Sequence, residues 1–175
     1  MKLSVIATAG LLVIAAAVTA SAQAPTDAQI ASIVVTANQV DIDAGKLAAG
    51  TSKNADVKAF ANMMVTDHTG VNKQAVALVT KLKVTPEDNP TSKSLKDGGD
   101  KNLANLKTLK GAAFDSAYID HEVAYHQQVL DAVDKVLIPN AKNAELKDLL
   151  VKVRPAFVAH LDHAKKIQSA LAAKK

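Results

Sequence analysis

Val57, Ala61, Met64, His68, Val71, Ala75, Leu78 and Leu82 recur at alternating intervals of four and three residues. That spacing keeps one face of an α-helix apolar and suits the shallow crossing angle of a left-handed bundle, so it commits this stretch to helix. The same beat returns in Ala112, Ser116, Ile119, Val123, His126, Leu130, Val133 and Leu137. It appears again in Leu146, Leu150, Val153, Phe157, His160, Ala164, Ile167 and Leu171. Ile30, Ile33, Ala37, Val40, Ala44 and Leu47 form a near match. No segment sustains the two-residue alternation of a half-buried strand. The fold class read from this pattern is all-α, a four-helix bundle.

Local signals set the boundaries. Thr26 and Gln29 have the form of a capping box at the start of the first helix, and Gly50 supplies its stop. The second helix begins near Asn54 and ends before Pro86. Pro90 and the pair Gly98-Gly99 predict a loop or a short broken helix through about residue 100, then a brief helix from Lys101 to Lys110. The third helix stops at Pro139, and Pro155 predicts a kink near Val151 in the fourth. Short links make helices 1 and 2, and helices 3 and 4, antiparallel hairpins. The long link from Thr85 to Gly111 can run the length of the bundle, as the single crossover of a ferritin-like fold does.

The first residues read as a targeting segment. Lys2 precedes an apolar run from Leu3 to Ala20, and Ala22-Gln23-Ala24 has the small-x-small form that signal peptidase cleaves. The organisation is therefore a signal peptide over 1–24 and a bundle domain over 25–175, with a retained anchor as the alternative. On the first reading the protein is periplasmic or secreted, bacterial, and has no integral membrane domain after cleavage. The chain has no Cys, which excludes disulfides, thiolate zinc sites, iron–sulfur clusters and a lipoprotein anchor. Net charge is +4, but it comes from scattered Lys residues with Arg154 as the only Arg. Nucleic-acid binding favours Arg forks on one stripe, so nucleic acid is not an expected partner.

The five histidines separate into groups. His68, His126 and His160 each lie on the apolar stripe of a different helix, near its middle. A lone imidazole is costly to bury, and three facing one core suit a transition metal such as zinc, copper or iron. Asp41, on the row Val34, Ala37, Asp41, Ala44 and Ala48, is the fourth candidate ligand. Counted from the turn near Thr51, Asp41 and His68 differ in depth by about 10 Å, which strains that pairing. His121 falls about 160° from the seam and should face solvent, whereas His163 flanks it. The other reading is a core of separately hydrogen-bonded histidines. Asp-His occurs at Asp67-His68, Asp120-His121 and Asp162-His163, but adjacent helical residues diverge by about 100° and form no dyad by themselves.

Several blocks carry a family resemblance. Asn38-Gln39-Val40-Asp41 through Gly45-Lys46-Leu47-Ala48, Val57-Lys58-Ala59-Phe60-Ala61 and Met63-Met64-Val65-Thr66-Asp67-His68-Thr69 resemble the domain-of-unknown-function 4142 family. So do Gly111-Ala112-Ala113-Phe114-Asp115 with Tyr118 and His126, and Pro155 followed by His160-Leu161 and Ala164. The likeness runs in order from about Thr26 to Leu171. It implies an exported, ferritin-like bacterial bundle without an assigned activity, often labelled an outer-membrane protein. That label fits poorly here, because the chain after the signal lacks the alternating strands of a membrane barrel, and outer-membrane association stands as a third reading. The resemblance also implies Glu, in many members, where this chain has Asp41 or Asp43.

Di-iron carboxylate bundles need Glu-x-x-His on two helices. Glu122 is followed three residues later by Tyr125, and Glu145 by Asp148, so that motif is absent. Hydrolase nucleophile motifs and Gly-rich phosphate loops are absent too, which leaves no sequence support for an enzyme. Two functional readings remain: an exported metal-binding bundle using His68, His126, His160 and Asp41, and a metal-free structural or stress-related bundle. The second would act through a homo-oligomer or an envelope protein partner.

Overall fold

The computed structural model describes residues 24–173; the signal segment, all but its last residue, lies outside the described residues. Six α-helices follow one another: α1 (Asp27–Thr51), α2 (Ala55–Leu82), α3 (Pro90–Thr108), α4 (Gly111–Ala132), α5 (Ile138–Asn140) and α6 (Ala144–Ala172). A π-helical turn, Val133–Leu137, joins α4 to α5. No strand occurs among the described residues, and no helix there is long and apolar enough to cross a membrane.

The helix starts follow the local chemistry. Thr26 Oγ1 accepts from the Gln29 amide at 3.2 Å, and Gln29 Oε1 accepts from the Thr26 amide at 3.1 Å, so the expected capping box is formed. Asn54, Asn89 and Asn143 cap α2, α3 and α6 through their side chains. Each satisfies amides that a helix start leaves without an intrahelical partner. α2 closes on Lys83 in the left-handed region, three residues before Pro86.

The crossover differs from the expectation. α3 is one continuous helix of 19 residues rather than a broken segment followed by a short one. Asn89 and Ser92 form a capping box with Pro90 in the first turn, and this start outweighs the weak helix propensity of Gly98 and Gly99. Gly99 has a packing reason to be there. A Cβ at that position would lie 2.7 Å from Cγ2 of Val40, so its absence lets α3 lie close against α1. The helical run through α4 and α5 continues one residue past Pro139. α6 remains helical through Pro155. Pro155 and Val151 are both exposed, which leaves the carbonyl freed by the proline to water.

α1 packs along α2, α4 along α6, and α2 against α6; α1 and α4 touch only sparsely, and α3 leans on α1. The result is the expected bundle of two hairpins joined by a crossover. Its apolar interior is divided in two. One core contains Ile30, Ile33, Val71, Leu130, Leu150 and Phe157. The other contains Val57, Phe60, Met64, Phe114, Tyr118 and Ile119. Between them, near the middle of α1, α2, α4 and α6, lies a buried polar layer of Asn38, Asp41, His68, Glu122, His126 and His160.

Candidate metal centre

His68 on α2, His126 on α4 and His160 on α6 are 2%, 1% and 3% exposed. Their ring centroids form a nearly equilateral triangle, with sides of 5.6, 5.2 and 5.5 Å. One nitrogen from each ring lies within 4.8 Å of the other two. The four-and-three spacing on three helices has therefore brought the rings to a common point.

Each ring is held from behind. The Nδ1–H of His68 donates to Asn38 Oδ1 at 2.7 Å, and Asn38 Nδ2 donates to the Val34 carbonyl at 2.8 Å. The second bond fixes which end of the Asn38 amide faces the ring, and so fixes the tautomer of His68. The Nδ1–H of His126 donates to the Glu122 carbonyl one turn back at 3.0 Å, with Glu122 Oε2 at 3.4 Å. His160 uses its other nitrogen: Nε2–H donates to Asp67 Oδ2 at 2.9 Å. What remains is Nε2 of His68, Nε2 of His126 and Nδ1 of His160, all buried and without a hydrogen-bond partner. Three buried imidazole nitrogens without partners in one layer are a costly arrangement.

Asp41 belongs to this layer despite the depth argument. Its Oδ2 lies 3.4 Å from His68 Nε2. The turn between α1 and α2 occupies only Ser52 to Asn54, so Asp41 sits ten residues from the end of α1 and His68 thirteen from the start of α2. Three residues of rise are about 5 Å, which side-chain reach closes. Counting the turn as helix made the gap look twice as large.

Glu122 is the residue that motif reasoning missed. It is fully buried, and its oxygens have no hydrogen-bond partner. Asp41, Glu122 and His126 offer three ligand atoms within 4.8 Å of one another. The signal was available: Glu122 stands four residues before His126, one helical turn away on the same face. The Glu-x-x-His pattern, at i, i+3, does not include this i, i+4 pair. Asp67 was missed for a related reason. It points about 100° from its neighbour His68 and meets His160 on α6 instead.

Burial and neighbouring charge divide the titrations. Burial lowers His68 well below the ordinary histidine value, and positive charge at His126 or His160 would lower it further. His160 is also lowered by burial, against the opposing pull of Asp67. Burial opposes protonation of His126 too, but Asp41 and Glu122 outweigh it and raise this ring to about 9. Asp41 is pushed well above the carboxylate range by burial and by the facing Glu122. With no Lys or Arg in the layer, one imidazolium is the cation available among the side chains to two buried acids.

His121 corrects another expectation. It is half-buried rather than solvent-facing, stacked on Tyr125 with centroids 5.5 Å apart. The four-and-three pattern marks only the interior face of α4, whereas the crossover side of α4 is covered as well. His163 turns inward against Phe60, edge-on at 5.4 Å, away from the three core rings.

The comparisons with known proteins agree with this architecture. No curated protein matches the chain in sequence. CopM, solved in the Cu(II)-bound form, is similar in structure, with a TM-score of 0.64 at 15% identity over 85% of this chain and 99% of CopM. At that identity the likeness concerns the fold. The family model for a domain of unknown function, DUF4142, matches residues 14–167. The blocks that place Asp41, His68, His126 and His160 in one layer lie within that match, and the chain belongs to the DUF4142 family.

Proposed function

We propose that this is an exported bundle protein that binds one transition-metal ion, with His68, His126 and His160 as nitrogen ligands and Asp41 as the fourth. The supporting observation is the set of three orphaned nitrogens, each opposite a ring nitrogen already held by an acceptor. Outer partners of this kind fix the tautomer and orientation of metal-bound histidines. The Asp41–His68 separation of 3.4 Å also suits two ligands on one ion. Metal–nitrogen bonds of ~2.0–2.1 Å in a tetrahedral site place neighbouring ligand atoms about 3.3 Å apart. Glu122 would hold His126 from behind and add negative charge near a divalent ion.

Imidazole donors suit copper(II) and zinc, and iron less selectively. CopM shares the fold and was solved with Cu(II), which makes copper the first ion to test. Titration of the purified protein with Cu(II) or Zn(II) should give one ion per chain. At ~100 times the dissociation constant, native-state binding adds about 2.7 kcal/mol of stability and raises the melting temperature. His68→Ala should abolish the gain, whereas His121→Ala should keep it. Equal responses from these two variants, or no response in the parent protein, would refute the metal reading.

A second reading has an observation of its own. Protonated His126 beside Asp41 and Glu122 could make the polar layer self-compensating, as a metal-free structural or stress-related bundle requires. That reading does not account for the vacant lone pairs on His68 and His160. It predicts that His126→Ala destabilises the protein equally with and without added metal.

A further inference from the structure

Of the four seams of the bundle, α1 against α4 is the loosest. A cavity of about 410 Å³ occupies that seam, beneath α3. Val34, Leu95, Val129, Val153 and Phe157 are among its walls, and the π-helical turn contributes Val133 and Leu137. Towards the polar layer the lining changes to Asp41, His68 and His121.

A metal ion alone does not need this space. Apolar walls give water few partners, and the volume falls within the range of roughly 300–1,000 Å³ typical of small-molecule pockets. The lining includes no Lys or Arg, and Asp41 is its one acidic residue. Phosphates, sulfates and carboxylates would therefore enter without a counter-charge, beside an acid. Thr91 and Ser94 of α3 and Gln128 of α4 add a few polar groups to the lining, but most of the remaining wall is aliphatic, so a sugar would leave several hydroxyls unpaired.

We propose that this cavity binds an uncharged, largely apolar small molecule with a single hydrogen-bonding head, seated head-inward against the ring of His121. The inference goes beyond metal binding and rests on the cavity alone. It assigns the ring of His121, at the polar end, a ligand-facing role, and it assigns α3 the role of the wall that completes the pocket.

Gly98 provides a way to block the site. It lines the cavity from α3, and a Cβ there would meet nothing within 4 Å. Replacing a helical glycine also favours the helix, so Gly98→Phe should fold. The probes are 4-phenylphenol, phenol and 4-phenylbenzoate, titrated calorimetrically into the metal-free and the zinc-loaded protein. We expect 4-phenylphenol to bind once per chain, at least tenfold more tightly than phenol and at least tenfold more tightly than the carboxylate. Gly98→Phe should weaken 4-phenylphenol at least tenfold and leave zinc affinity unchanged. His121→Phe, which keeps an aromatic ring beside Tyr125 but removes the nitrogen, should weaken it several-fold.

Equal affinities for phenol and 4-phenylphenol would overturn the proposal. So would binding that is indifferent to Gly98→Phe in a protein that still folds. Because the metal-free arm stands by itself, the two readings fail separately. Failure to bind zinc with the probe pattern intact removes only the metal, and the converse removes only the pocket.

Discussion

Next to the α1–α2 turn, Val57, Phe60, Met64, Leu106, Phe114 and Tyr118 are wholly shielded from solvent. Small residues there bring the helices close: a Cβ on Gly45 would lie 2.9 Å from the Ala61 carbonyl oxygen. Beyond the polar layer the helices carry larger aliphatic residues, yet they leave a cavity of about 410 Å³ between α1 and α4. One half of the bundle spends its apolar surface on close packing. The other leaves an opening beside the three histidines. The contrast separates a close-packed half from a half that holds the cavity, with the polar layer of the candidate site as the boundary.

The largest effect should come from damaging the close-packed half. Phe60 is fully buried and packs edge-on against Tyr118 and His163 at 6.2 and 5.4 Å. Phe60→Ala should cost about 3–5 kcal/mol, because its tightly held neighbours have little room to collapse. Leu150 is nearly as buried but already borders the cavity. Leu150→Ala should fall at the lower end of the range for such truncations, about 2 kcal/mol, since fewer contacts surround it. Urea unfolding of the two variants measures the difference. Similar losses would dissolve the distinction between the halves.

The boundary layer should respond to pH. In the folded protein His126 is raised to about 9, above the ordinary value of ~6.5 that applies when unfolded. Its imidazolium is favoured by folding, so its contribution is complete below ~6.5 and is lost as pH rises through 9. That loss is on the order of 3 kcal/mol. Asp41, also raised, acts in the same direction, because folding favours its protonated form and that benefit disappears as pH climbs. His68 and His160 are lowered, and they withdraw stability only as pH falls below ~6.5. Metal-free protein should therefore be less stable at pH 9.5 than at pH 7, and Glu122→Gln should flatten the decline. Metal affinity should run the opposite way, rising through pH 8 because His126 must lose its proton to ligate. A stability profile level from pH 7 to 9.5 would show that the carboxylates do not hold the ring as described.

Much of the fold could be read from the sequence because it rests on local periodicity. The stripes that contain His68, His126 and His160 name the residues that converge, and Thr26 with Gln29 names the first cap. What could not be read depends on how neighbouring helices are offset and covered. Asp41 appeared too far from His68 because a three-residue turn was counted as helical rise. His121 appeared exposed because nothing in its own helix announces that α3 and the α1–α4 seam lie beside it. Glu122 was legible at one turn from His126, but only to a search that did not assume a known motif. The cavity has no local signature, since it arises from two helices failing to meet.

Gly98 and Gly99 give the smallest effects and the finest test of the contrast. Sequence alone treats the pair as one helix breaker, while the structure gives the two residues opposite surroundings. Gly98 faces open space, and alanine there should add about 0.5–1 kcal/mol by favouring the helix. Gly99 faces Val40, whose Cγ2 and Cγ1 would lie 2.7 and 3.0 Å from an added Cβ. Val40 is buried and β-branched, so it has few other rotamers to adopt. Alanine at 99 must push α3 away from α1, and the strain of about 1 kcal/mol or more should exceed the propensity gain. Since α3 forms a wall of the cavity, that displacement should also loosen 4-phenylphenol binding, which Gly98→Ala should leave nearly unchanged. Opposite signs for the two alanines in thermal unfolding would confirm that close approach, rather than chain breaking, is the role of this pair. The same sign for both would mean that α3 rides loosely on the bundle and that the cavity lacks a fixed wall.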